Sequence, residues 1–178
     1  RLEGEQAIEL LGWSPLGITR ADTDFSSGLA FVEQRTRTVT DKYTMLRGKQ
    51  LDISAEGEEL VLEFQGSGGK GLELIFRAYD DGIAFRYRFP EEDTAAYTVM
   101  AEHSGFRLPL QGRAWIQPYD RITKYTPAYE RFFEGPIPAG QSAPGKEGWA
   151  FPALFQIGRQ WLLLSESDLD GSYFGAHL

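Results

Sequence analysis

At 178 residues, 42% hydrophobic and 13% aromatic, the chain has the apolar material for one folded domain and too much of it for a disordered one. Its net charge of -8 argues against a nucleic-acid partner, because phosphate binding needs clustered Lys and Arg. With no cysteine there are no disulfides or thiolate metal sites, and no apolar run approaches the roughly 20 residues that span a bilayer.

The chain opens at Arg1-Leu2-Glu3-Gly4 with neither an initiator Met nor a leader pattern, and it reads as a processed or excised piece. Ala7 to Gly12 alternates briefly, Trp13 to Ile18 reads as a turn, and residues 21–27 as polar loop. Leu29 to Arg47 is rich in Thr and Val and predicts one or two strands; Arg35 to Thr40 alternates as an exposed strand face does. Leu60, Leu62 and Phe64 begin a clearer alternation. The glycines of residues 66–71 are followed by no helix pattern, so they make a hairpin loop and not a phosphate cradle. Leu72, Leu74, Phe76 and Ala78 then alternate, Asp80-Asp81-Gly82 turns the chain, and Ile83, Phe85, Tyr87 and Phe89 alternate back to Pro90.

Ala95 to Met100 and Ser104 to Leu110 are strand-like. From Trp115 to Gly135 neither period runs, and Pro118 and Pro127 interrupt, so this stretch predicts mostly loop. Residues 135–148 predict a Pro/Gly loop. Trp149 to Ile157 and Gln160 to Ser165 predict a second hairpin, and residues 166–178 a loop leading into a further strand. No segment longer than about 10 residues carries a helical stripe, so the predicted class is all-β, with stacked antiparallel sheets.

Candidate functional residues gather between Trp115 and Gly135. Six aromatic residues, among them Trp115, Tyr119, Tyr125 and Tyr129, share this span with Asp120, Glu130 and Glu134. Irregular segments between strands are where sites concentrate. Flat apolar faces beside carboxylates suit sugar rings, which stack by their C–H faces and hydrogen-bond by their hydroxyls. The competing reading is that these aromatics roof a sheet and the charges are solvated.

The hairpin Leu72-Glu-Leu-Ile-Phe-Arg-Ala-Tyr-Asp-Asp-Gly-Ile-Ala-Phe-Arg-Tyr-Arg-Phe-Pro90, with Trp115, Tyr129-Glu130 and Trp161-Leu-Leu-Leu-Ser-Glu166, resembles the N-terminal domain of glycoside hydrolase family 97. Ser14-Pro15-Leu16-Gly17-Ile18 and Tyr173-Phe174-Gly175 extend the likeness over most of the chain. These enzymes are α-glucosidases and α-galactosidases. The resemblance implies an antiparallel β super-sandwich like that of galactose mutarotase, packed on a catalytic (β/α)₈ barrel. It implies a calcium ion at the domain contact, with Glu130 as this chain's ligand and Glu134 in reserve. Trp115, Tyr119, Tyr125, Tyr129 and Glu134 would then meet oligosaccharide or barrel, in a periplasmic or secreted protein with no nucleic-acid or membrane partner.

By the resemblance, the strands that precede Ser14 in the family and the barrel itself are expected outside these 178 residues. The expectation for residues 1–178 is therefore a partial N-terminal sandwich domain, inactive alone, whose parent is the glycosidase. A glycosidase needs two carboxyl groups, and calcium needs six to eight oxygens, which one Glu cannot supply. Two alternatives remain. One is a stand-alone carbohydrate-binding sandwich using Trp115, Tyr119 and Tyr125 as a stacking platform. The other is a structural domain whose aromatic stretch only buries the barrel contact. Acid–base chemistry of the mutarotase kind would rest on His103 and His177, the only histidines, and neither sits in a favourable segment.

Overall fold

The computed structural model describes residues 9–127, 129, 131–167, 169 and 175–178. These hold ten strands, every pairing antiparallel, and no α-helix; the one helical turn is a 3-10 turn at Ser67–Gly69. The all-β, antiparallel class expected from the sequence holds. The strands fall into two compact units, Leu16–Ser104 and Arg1–Pro15 with Gly105–Leu178.

The Leu16–Ser104 unit holds β1 (Ile18–Arg20), β2 (Ala30–Thr44), β3 (Asp52–Gln65), β4 (Gly71–Ala78), β5 (Ile83–Arg88) and β6 (Val99–Glu102). Strands β2-β3-β4-β5 form a four-stranded meander, and β1 pairs with β6. The hairpin expected around Gly82 is β4–β5, in register from Glu73↔Arg88 to Ala78↔Ile83. Period two puts Leu60, Leu62 and Phe64 opposite Phe76, Leu74 and Leu72 on one face. Ile18, Phe25 and Leu72 are the buried core there, with Leu29, Tyr87 and Phe89 against them. Phe25 lies in the stretch that reads as polar loop. That loop folds back on β1 through Phe25 N–H to the Ile18 carbonyl and the Thr19↔Asp24 bridge, which turns the ring inward. Leu29 to Arg47 yields a single strand, β2, of 15 residues. Its far half pairs with residues 52–57 of β3, beyond the end of β4, as a two-stranded arm. Where β4 stops, the Tyr79 ring lies over Gly57; a Cβ there would come within 2.7 Å of the ring and of the Ala78 carbonyl.

The other unit holds β7 (Arg113–Pro118), β8 (Glu134–Pro138), β9 (Trp149–Ile157) and β10 (Gln160–Leu164), in the order β10-β9-β7-β8. The expected second hairpin is β9–β10. Two expectations are corrected here. Trp115–Pro118 belongs to β7, although the stretch reads as loop, and Glu134–Pro138 is a strand despite two prolines. Proline lacks an N–H and is tolerated at a sheet edge, which is where β8 lies. Pro152 of β9 sits where the β7–β9 register shifts, between Trp115↔Leu154 and Gln117↔Ala150, so its missing donor breaks no ladder. Of the strand-like stretches further upstream, only Val99 onward pairs; Ser104 to Leu110 has no strand, although Phe106 and Leu108 pack on the core. That core is Ala114, Ile116, Ala139, Trp149, Ala153, Phe155 and Leu164. Trp149 and Leu178 exchange both backbone hydrogen bonds, but residues 175–178 form no strand, so the further strand expected there is reduced to this single pairing.

Candidate functional site

Alternation along β7, β9 and β10 buries Ala114, Ile116, Ala153, Phe155 and Leu164 and turns the other side chains to the opposite face. On that face Trp115, Phe133, Pro152, Leu154, Trp161 and Leu163 line an open hollow of about 540 Å³. The Trp115 and Trp161 rings lie 5.1 Å apart, tilted by 41°. Trp161, Leu163 and Phe133 remain 52%, 60% and 56% exposed. Apart from the indole N–H groups, no lining side chain carries a hydrogen-bonding group. Of the expected site residues only Trp115 lines this hollow. Trp161 and Leu163 were absent from that set, and the signal for them is Trp161-Leu-Leu-Leu164 itself. Four consecutive apolar residues in a strand leave one apolar row on the outer face.

The loop after β7 leaves as a narrow antiparallel excursion. Asp120 N–H donates to the Tyr129 carbonyl at 2.6 Å and Arg131 N–H to the Pro118 carbonyl at 2.9 Å, which holds the two limbs together. Thr123 and Thr126 close the tip, hydroxyl to hydroxyl at 2.7 Å. Tyr125 stands at this tip, 85% exposed, with the Lys124 ammonium 5.6 Å from its ring centre. Tyr119 is half-buried near the loop base, where its N–H donates to the Gly148 carbonyl. Glu147, largely buried, accepts from Ile122 N–H at 3.4 Å. Tyr129 is exposed, and Glu134 is exposed at the start of β8. Glu130 lies outside the described residues. Trp115 therefore stacks with Trp161, not with Tyr119 and Tyr125 as a single platform. Among the described residues, no group of three or more His, Cys, Asp or Glu side chains converges as a cation site.

A second polar feature lies on the meander. Arg35, Arg37, Glu59, Glu73, Arg77 and Arg88 share one face by register. Glu59 accepts from Arg37 at 2.7 Å and from Arg77 at 2.8 Å. Glu73 accepts from Arg35 at 2.9 Å and also from Arg88. Both carboxylates are buried beneath their guanidinium partners, which hold Glu59 (chiefly Arg37) and Glu73 (chiefly Arg88) below the ordinary glutamate range. Arg77 and Arg88 are thus engaged within the sheet.

A family model described as "Glycosyl-hydrolase 97 N-terminal" matches residues 4–178. A probable retaining alpha-galactosidase of Streptomyces bingchenggensis (strain BCW-1) is 34% identical over 165 residues, 93% of this chain and 24% of that protein. The chain thus spans about a quarter of that relative's length. A solved beta-arabinopyranosidase superposes with a TM-score of 0.84 at 30% identity, over 94% of this chain and 28% of that one. A glycoside hydrolase family 97 enzyme from Pseudoalteromonas sp. strain K8, solved with acarbose, gives a TM-score of 0.61 at 17% identity, over 84% and 22%; it speaks to the fold alone.

Proposed function

Because the chain belongs to the glycosyl-hydrolase 97 N-terminal family, we propose that it is the non-catalytic domain of a calcium-dependent glycosidase whose substrates are α-galactosides. The match along nearly the whole chain carries this reading. Two relatives support the substrate class together: one is named a probable retaining alpha-galactosidase, the other a beta-arabinopyranosidase. In the L series, a β-arabinopyranoside has the ring stereochemistry of an α-galactoside and lacks only the exocyclic hydroxymethyl group. A pocket built for one is close to a pocket for the other, and an α-glucoside differs from both at C4.

The paired carboxylates of glycoside hydrolysis belong, in this reading, to a catalytic barrel of the same polypeptide. The work of this chain is to pack on that barrel. The hollow around Trp115 and Trp161 supports such a role, because its lining can exclude water but can bond few hydroxyls. The described residues do not fit a complete calcium site, since six to eight oxygens are needed and no three acidic groups converge. Glu130 is proposed as the single ligand lent from the loop between β7 and β8, with Glu134 in reserve.

The test is hydrolysis of nitrophenyl α-galactoside and α-glucoside by the polypeptide in which this domain sits, with and without a chelator. The galactoside is expected to be cleaved, the chelator to abolish cleavage, and Glu130→Gln to raise the calcium concentration needed. Cleavage of neither glycoside would sink the substrate reading, and indifference to the chelator would sink the calcium role alone. The alternative, a stand-alone sugar-binding module, predicts oligosaccharide binding by residues 1–178 that Trp115→Ala abolishes.

A further inference from the structure

Residues 37–41 of β2, Arg-Thr-Val-Thr-Asp, are self-complementary when run against themselves. Laid antiparallel with Val39 facing Val39, each Arg37 meets an Asp41 and each Thr38 meets a Thr40. This pentapeptide occupies the outer strand of the meander, and no described strand pairs with its free edge. Every residue of β2 except Val39 and Asp41 is exposed, and none is Pro or Gly. The register with β3 shifts once, between Phe31 and Glu33, and is regular from there to Thr44. A two-fold axis at Val39 spans Gln34 to Thr44 and so fits inside the regular run.

We propose that this edge pairs with the same edge of a second copy of the chain, joining two four-stranded meanders into one continuous sheet. A two-fold contact uses the same patch on both partners, so it demands a self-complementary sequence, and this strand has one. Arg37 and Asp41 lie on the same face of β2, because residues two and four apart do; each already has partners in its own sheet, Arg37 with Glu59 and Asp41 with Arg77 and Tyr79, so the pairing across the axis extends an existing row of ion pairs. On that face Arg35 also comes opposite Tyr43, a guanidinium against a phenol ring. On the other face Thr38 meets Thr40 and Thr36 meets Lys42, with no like charges opposed. Moving the axis to Arg37 or to Asp41 would place two like charges directly opposite, which disfavours those registers. Exposed edges are ordinarily guarded by charge against chance pairing. Here the charges repel a strand of other sequence and accept this one, which makes them a selector for a second copy. The proposal is independent of the glycosidase reading.

Sedimentation equilibrium of this 20.0 kDa chain tests it. At roughly 100 µM a dimer is expected, with dissociation in about the micromolar range that a small interface supports. Val39→Lys and Val39→Asp each put like charges directly across the axis, and each alone is expected to weaken dimerisation by about tenfold. An equimolar mixture of the two variants is expected to recover the dimer, since Lys then faces Asp. Recovery on mixing also shows that both variants are folded, which an unchanged circular dichroism spectrum checks separately. A monomeric parent chain, a variant that dimerises as the parent does, or a mixture that stays monomeric would each overturn the proposal.

Discussion

Arg20 has no exposed side-chain surface, yet it is charged. Its Nε and Nη2 donate to Asp22 at 2.8 and 2.9 Å, and Nη2 also reaches Glu91 at 2.9 Å. The guanidinium carbon Cζ lies 4.0 Å from the Tyr97 ring centre and 4.6 Å from that of Phe89. A planar fork can meet two carboxylates and two rings at once, and an ammonium cannot. Arg20→Lys is therefore expected to cost about 3 kcal/mol of unfolding free energy, read from the urea midpoint, because the buried site would then hold an ammonium that cannot meet Asp22, Glu91 and the rings together. Nothing in Ile18-Thr-Arg-Ala-Asp22 announces this. A buried Arg has the same sequence as an exposed one, and its partner Glu91 is 71 residues away. Gly57 was similarly silent, because its reason is Tyr79 crossing over it from the end of β4. The Tyr79 hydroxyl then donates to Asp41 of β2, tying the arm to the sheet.

The strands themselves were more legible. Alternation identified β4–β5 and β9–β10 because each has one apolar row facing a core and a turn glycine between strands. It missed β8 because two prolines mask a strand that needs hydrogen bonds on one side only. It also missed how far β7 runs into the Trp115 stretch, whose outer row is apolar as well. What alternation leaves on the other face of the meander is a pair of charged rungs, Arg37–Glu59–Arg77 and Arg35–Glu73–Arg88. Each central glutamate has a folded-state pKa below its ordinary 4.5. The unfolded chain therefore takes up protons first as pH falls. The rungs contribute stability that is present above the unfolded value and is lost as pH drops through the folded ones. Thermal unfolding followed from pH 7 downward should show the melting temperature falling from about pH 4.5 on. Glu59→Gln with Glu73→Gln should lower it at pH 7 and flatten its dependence on acid.

Across the whole chain, the fold class and the family could be read from the sequence, whereas the geometry of the candidate site could not. Trp115 meets Trp161 across β9, a partner 46 positions away that only the sheet order β10-β9-β7 supplies. The apolar hollow that results faces solvent in this chain, and apolar side chains gathered on one face suit a partner better than water. A fluorescent apolar dye should bind there, and Trp161→Gln with Leu163→Gln should abolish most of the signal. Because both side chains are more than half exposed, the same pair of substitutions should cost at most about 1 kcal/mol of unfolding free energy.

The division into two units bears on how the chain is made. One unit is a continuous stretch, Leu16–Ser104, while the other joins Arg1–Pro15 to Gly105–Leu178. The meander β2-β3-β4-β5 links each strand to the next, so every closure in it is local and quick. In the other sheet, β7 must wait for β9, which begins 31 positions after β7 ends. During synthesis the meander can therefore be complete while β9 and β10 are still inside the ribosome. The apolar row of β7 is then left to chaperones until its neighbour emerges.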